Sequence, residues 1–344
     1  MMNRSHRSHT ALLKRHFRIQ LKLLIFVGVN SRYNFLIFRN ISDYFQMSFE
    51  DIFEIPSIGM ILSGIYPKKL NKWFWKFYSD MLVVVLTFIN YLFIYNCYAD
   101  ISNGNFPDLA VQLSLFIPVE VSYMKIVYFK FVEDKLEQML RTIEETYKAS
   151  KYHPKEHQKL LVEGINKGRS GSNLWFVLVI MNTTSIWMHS IIEMIYKNLK
   201  SNFRVKVMMH EVVLPLVNQY RYSSPFYEVF YILSLSVLGI AMANFTAVDG
   251  FFIIAVTHNE AQMKILKLKV QQLYSDLDSS EPNLVMSRVK NIITHHLEII
   301  SFHEKSQNLM SPVFANMLFL TSLQLCVVGY QITLVSYANI KKVK

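Results

Sequence analysis

His295, His296 and His303 lie close together in the chain and are a first candidate for metal chemistry. A metal needs three or four ligands that converge. On a helix, side chains share a face when they are three or four positions apart. The spacing here does not bring the three imidazoles to one face, and no cysteine is near. They read as solvated groups or as interhelical hydrogen-bond partners. The two cysteines, Cys97 and Cys326, both stand in apolar blocks and lack the CxxC spacing of a zinc or redox site, so they read as small apolar packers. No metal and no cofactor is expected.

The charged residues inside apolar stretches are more informative. Glu120 and Lys125 interrupt one such stretch, and Asp249 stands late in another. A charge within a membrane helix is costly and usually functional, unless its side chain reaches out to the interface. Lys125 sits near one end of its stretch and is expected to reach out in this way. Glu120 is deeper and is a candidate for lining an aqueous cavity or for pairing with another helix. Asp249 is expected to pair with a basic residue on a neighbouring helix or with an exposed amide. No P-loop, GxGxxG, HExxH or GxSxG motif occurs, so neither a nucleotide-driven pump nor a familiar hydrolase is indicated, and the chain does not read as an enzyme.

The elements that position these residues follow from composition. Of 344 residues, 52% are hydrophobic and 18% charged, against roughly a quarter charged in ordinary soluble domains. Mean hydropathy is +0.22. The apolar residues fall in blocks that meet the length of about 20 residues needed to cross a bilayer as a helix. Five spans are predicted: 81–98, 109–131, 173–192, 229–256 and 309–335. The blocks are continuous rather than alternating, which excludes a membrane β-barrel. The predicted fold class is all-α, a multi-spanning transmembrane helical bundle. Asn182-Thr183-Thr184 and Asn244-Phe245-Thr246 match the glycosylation pattern, but both lie inside spans and should hydrogen-bond between helices instead.

The net charge of +11 resides between the spans. It reads as a topology signal and as contact with anionic membrane lipid, not as a nucleic-acid surface. The loop at 99–108 has no Lys or Arg, while 132–172 carries many, so the N-terminus is placed in the cytoplasm. The basic loop at 193–226 opposes this assignment. Residues 132–149 have a helical pattern, with Leu136, Leu140, Ile143 and Tyr147 on one face, and are expected to continue the second span into water as part of a cytoplasmic anchor region. That helix should break near His153-Pro154. Further on, Val285, Val289, Ile292, Ile293, Leu297 and Ile300 fall on one side of an amphipathic stretch. Residues 1–46 are basic and acid-poor and are expected to lie outside the fold. They suit a mitochondrial leader or, better, an upstream extension with Met47 as the natural start. Residues 47–344 form the membrane domain.

Aromatic stripes on the spans are candidates for a small apolar ligand's pocket. Phe116, Glu120 and Tyr123 form one on the second span, Ile180, Thr183 and Trp187 one on the third, and Phe230, Tyr231 and Ser234 one on the fourth.

Several segments, in order, resemble the seven-helix insect odorant receptor family. GIYP at 64–67 resembles its glycine, aromatic and proline segment before the first span. SSPFYEVFY at 223–231 resembles the lead into the fourth, and Asp249 in AVDGFFIIAV an acidic position late in that span. The block from His295 to Gln331 resembles the fifth-helix region, with Ser-Pro and a closing Cys326, Gly329, Tyr330 and Gln331. The resemblance covers about residues 47–340. It implies a plasma-membrane, multi-pass receptor that binds odorant small molecules and opens a non-selective cation channel in a hetero-tetramer with co-receptor subunits. It also implies a ligand pocket in the outer half of the bundle, and a structural or gating role for Asp249, Cys326, Gly329, Tyr330 and Gln331. The chain is expected to stop before the family's last two helices, the pore-lining one among them. Two other readings stand beside it: a G-protein-coupled receptor, which needs an outward N-terminus and lacks its Asp-Arg-Tyr and Asn-Pro-x-x-Tyr signatures here, and a small-solute transporter using Glu120 and Asp249.

Overall fold

The computed structural model describes residues 48–67, 72–200, 206–208, 220, 222–275 and 281–343. The basic extension 1–46, Lys68 and Lys69, and most of the basic loop between 201 and 221 lie outside the described residues. Among those that are described, every regular element is helical. In chain order they are α1 (Phe49–Ile52), α2 (Glu54–Leu62), α3 (Lys72–Ser102), α4 (Phe106–Phe131), α5 (Glu133–Ala149), a 3-10 turn (Ser150–Tyr152), α6 (Lys155–Lys200), α7 (Phe226–Ser275) and α8 (Pro282–Val343).

Local chemistry sets the ends. Ser48 and Asp51 form a capping box at α1, each side chain accepting from the other's backbone N–H. α2 stops at Gly64, whose φ of +73° is a left-handed conformation that L side chains rarely adopt. The N–H of Gly64 donates to the Ile61 carbonyl and that of Ile65 to Met60, the pairing that satisfies the last carbonyls of a helix. The glycine of the GIYP segment is thus required by the backbone. Pro107 at the start of α4 occupies a position whose N–H would have no helical partner.

Among the described residues five helices, α3, α4, α6, α7 and α8, are long and apolar enough to cross a membrane. At about 1.5 Å per residue, the 46-residue α6 is roughly 70 Å long, over twice a hydrocarbon core of about 30 Å. The apolar segments at 173–192, 229–256 and 309–335 lie within α6, α7 and α8, which continue beyond them into more hydrophilic sequence. Large apolar side chains face outward on the spans: Val84 is 67% exposed, Leu318 66% and Phe319 70%. Such a surface is a liability in water but is satisfied by lipid.

The chain divides into two compact units that share the long helices. One contains residues 143–182 and 249–299 with the N-terminal helix α1. Its core holds Phe49, Phe53, Ile143, Tyr147, Leu161 and Ile165, with the Tyr147 ring against Phe53 and His258. Here α6 and α7 touch backbone to side chain. A Cβ placed on Gly164 would stand 2.6 Å from Ala261 Cβ, and one on Gly168 2.6 Å from Thr257 Oγ1. The other unit contains 56–142, 183–248 and 300–344. In it, Gly59 of α2 lies against α7, where a Cβ would be 2.7 Å from the Ala243 carbonyl oxygen.

Two expectations are corrected. The second span does not run on into α5: at Val132 the backbone leaves the helical region (φ −113°, ψ 24°) and a separate helix begins at Glu133. The face Leu136, Leu140, Ile143 and Tyr147 is nevertheless buried, and the break at His153-Pro154 is present. On α8 the side that carries Val285, Val289, Ile292, Ile293, Leu297 and Ile300 is only partly covered. Ile293 and Leu297 are exposed at 54% and 59%, while His295 and Ile299 turn inward. Second, Lys125 does not reach outward. It is 2% exposed, with its ammonium 4.4 Å from the centre of the Phe245 ring. That cation–π contact, rather than water, receives the charge.

Candidate ligand cavity

α3 and α4 run antiparallel as a pair. Asp80 is joined to Lys130 by a salt bridge, the Thr87 and Tyr123 hydroxyls are 3.0 Å apart, and the Phe93 and Phe116 rings lie 5.2 Å apart. Each turn forward on α3 is therefore a turn back on α4. The same register sets Asn90 level with Glu120. Asn90 is 6% exposed, and neither atom of its amide has a hydrogen-bond partner among the described residues.

Beside this pair is a cavity of about 60 Å³. Ile89, Leu92 and Phe93 of α3 contribute one wall, spaced to share a helix face, and Val119 of α4 adjoins it. The opposite wall is α7, through Phe230, Leu233, Ser234, Val237 and Leu238, again at helical spacing. Met208, from the short stretch before α7, completes it. That stretch is fastened to α7: the Tyr227 hydroxyl donates to the Val207 carbonyl at 3.0 Å, and the Lys206 ammonium lies 3.2 Å from a Glu228 carboxylate oxygen and 4.7 Å from the Tyr227 ring centre.

The cavity's polar side chain is Ser234, whose hydroxyl donates to the Phe230 carbonyl of its own helix at 2.9 Å. With its proton committed there, the oxygen remains an acceptor. The site can hold a small apolar molecule and offer one acceptor to an O–H or N–H group on it. It has no paired acid and base, and among the described residues no group of His, Cys, Asp and Glu could hold a metal ion.

Of the residues picked from the sequence, Phe230 and Ser234 line the cavity. Phe116 and Tyr123 face α3 through Phe93 and Thr87, and Glu120 is half-buried next to the lining Val119. Trp187 is 39% exposed, and its indole N–H donates to the Tyr231 hydroxyl at 3.2 Å, which joins α6 to α7 outside the cavity lining. Ile180 and Thr183 are half-buried on α6 and do not line the cavity. Asp249 is half-buried in α7. On α8, Cys326, Gly329 and Tyr330 are exposed, whereas the Gln331 amide lies 3.5 Å from the Ser114 hydroxyl and the Gln324 amide donates to the Ser114 carbonyl at 2.9 Å. Sequence reading missed the α3 wall, Val119 and Met208. The i, i+3, i+4 spacing of Ile89, Leu92 and Phe93 was available as a signal. Met208, outside any helix, gave none.

Comparison with known proteins adds two findings. The 7tm Odorant receptor family model matches residues 105–344, well over half of the chain. Odorant receptor 82a of Drosophila melanogaster is 30% identical over 109 residues, which cover 32% of this chain and 28% of that relative.

Proposed function

Because this chain belongs to the 7tm odorant receptor family, a family of multi-pass membrane receptors, we propose that it binds small, volatile, apolar molecules in the cavity between α3, α4 and α7. The observation that carries this reading is the lining: aliphatic and aromatic side chains with one acceptor, Ser234. Apolar contact supplies most of the binding energy, so selectivity is broad. The Ser234 oxygen favours ligands with a hydroxyl or amine over bare hydrocarbons of the same size.

In this proposal the chain lies in the plasma membrane with its N-terminus in the cytoplasm, which the lysine- and arginine-free 99–108 loop supports. It works with co-receptor subunits in a hetero-tetramer, and ligand binding favours the open state of a non-selective cation channel. Coupling requires the ligand to bind one state more tightly than the other. α7 is suited to transmit the difference, because one helix of 50 residues carries both the cavity wall and Asp249. No catalysis is involved.

The test has two stages. Purified chain in lipid nanodiscs is titrated with N-phenyl-1-naphthylamine, and volatile alcohols are used to displace it. Saturable binding that Leu233→Trp abolishes places the ligand in this cavity; binding that survives the substitution sinks the assignment. Co-expression with a co-receptor subunit and recording of alcohol-evoked cation currents then tests channel gating separately.

A further inference from the structure

Where α6 begins, α7 ends and α8 begins, the unit formed by 143–182 and 249–299 gathers three imidazoles around a fixed cation. His157 of α6 is 5% exposed, and neither ring nitrogen has a hydrogen-bond partner among the described residues. Its ring is 6.2 Å from that of His153, at the surface edge of the group. His295 of α8 is joined through Nε2 to the Gln262 side-chain oxygen of α7 at 3.0 Å, while its Nδ1 is buried with no partner among the described residues. Lys269 of α7 lies within electrostatic range of all three, and its ammonium donates to the Asn291 side-chain oxygen of α8 at 3.0 Å. The acids that face the group are Glu156, bonded to Gln272 at 3.1 Å, and Glu298, which acts on Lys269.

The group tolerates neutral imidazoles and opposes charged ones. For the Gln262 oxygen to accept, His295 Nε2 must carry the proton, so further protonation adds a donor at Nδ1 where no acceptor stands. Protonated His157 would bury two unpaired donors and a charge. Burial, and next the Lys269 charge, hold His153 and His157 below the usual imidazole range and His295 down to about 4.

We propose that this histidine cluster is an acid-triggered release, in which protonation of His157 and His295 separates the ends of α6, α7 and α8 that it joins. The inference is independent of the ligand cavity. The sign follows from linkage: a pKa depressed in the packed state means that packing is at full strength above about pH 6.5 and weakens as pH falls toward about 4. One imidazole at about 4 when packed and about 6.5 when released raises the opening equilibrium about ten-fold between pH 7.5 and 5.5, and His157 adds to this.

Hydrogen–deuterium exchange on the full chain in phosphatidylcholine nanodiscs, normalised for the intrinsic effect of pH, reads the opening. Peptides over 153–160, 262–272 and 288–298 should open about ten-fold more or beyond at pH 5.5, while α3 and α4 peptides hold steady, and the double variant H157Q/H295Q should lose the pH effect. An unchanged opening in the parent chain, or the same rise in the double variant, overturns the proposal. Histidine Cε1 titration by NMR decides the matter without relying on the double variant. A His295 midpoint near 4 supports the device, and one near 6.5 removes its basis.

Discussion

Straight-chain primary alcohols, lengthened one carbon at a time, measure the proposed cavity from inside. Each methylene moved from water into an apolar site gains about 0.8 kcal/mol, or about four-fold in affinity. The gain lasts only while there is room. A water-sized group takes roughly 10–15 Å³ on the measure that gives this cavity about 60 Å³, so the gain should stop after about four to six such groups. Val237, 8% exposed on the α7 wall, sets part of that limit. Val237→Ala removes two methyl groups and should move the break in the series outward by about one or two carbons. Leu233→Phe should move it inward. The assay is displacement of N-phenyl-1-naphthylamine from the chain in nanodiscs, with aqueous ligand concentrations corrected for uptake by empty discs. Affinity that rises without a break would indicate partition into lipid rather than a bounded site. A break at the same length in both variants would refute the assignment of the wall.

Three other outcomes are expected. Gly59→Ala forces a methyl group to 2.7 Å from the Ala243 carbonyl oxygen and should cost about 1–3 kcal/mol, seen as earlier thermal unfolding in detergent, whereas Gly239→Ala, with open space around its Cβ, should not. Trp187→Phe removes an indole donor from Tyr231 and should lower stability by about 0.5–1.5 kcal/mol, with probe affinity unchanged because the ring lies outside the lining; a large loss of affinity would return Trp187 to the pocket. Phe245→Leu deprives the buried Lys125 of its ring face and should cost about 1–2 kcal/mol in the same unfolding assay, while Phe245→Trp should largely preserve stability.

The sequence was informative where one physical cause dominates. Long apolar blocks meet the bilayer's length requirement even where Glu120, Lys125 or Asp249 interrupts them, so the five helices apolar enough to cross were legible. Pro154 broke its helix locally, as a proline does. Rotation about a helix axis was less legible, because neighbours decide it. On α4, Val119 rather than Glu120 reaches the cavity, a difference of one residue and about 100°. On α8, Ile293 and Leu297 share a side with other apolar residues, yet the seam turns His295 and Ile299 inward, where α7 offers the Gln262 amide as a partner. The break at Val132 depends on how α5 packs, and no proline or glycine marks it.

The glycine contacts between α6 and α7 have a mechanical consequence. Gly164 and Gly168 admit Ala261 and Thr257 so closely that neither helix can slide or roll past the other without atoms overlapping. Over this stretch the two helices behave as a keyed shaft. A rotation of α7 at Thr257 and Ala261 must therefore carry α6 with it.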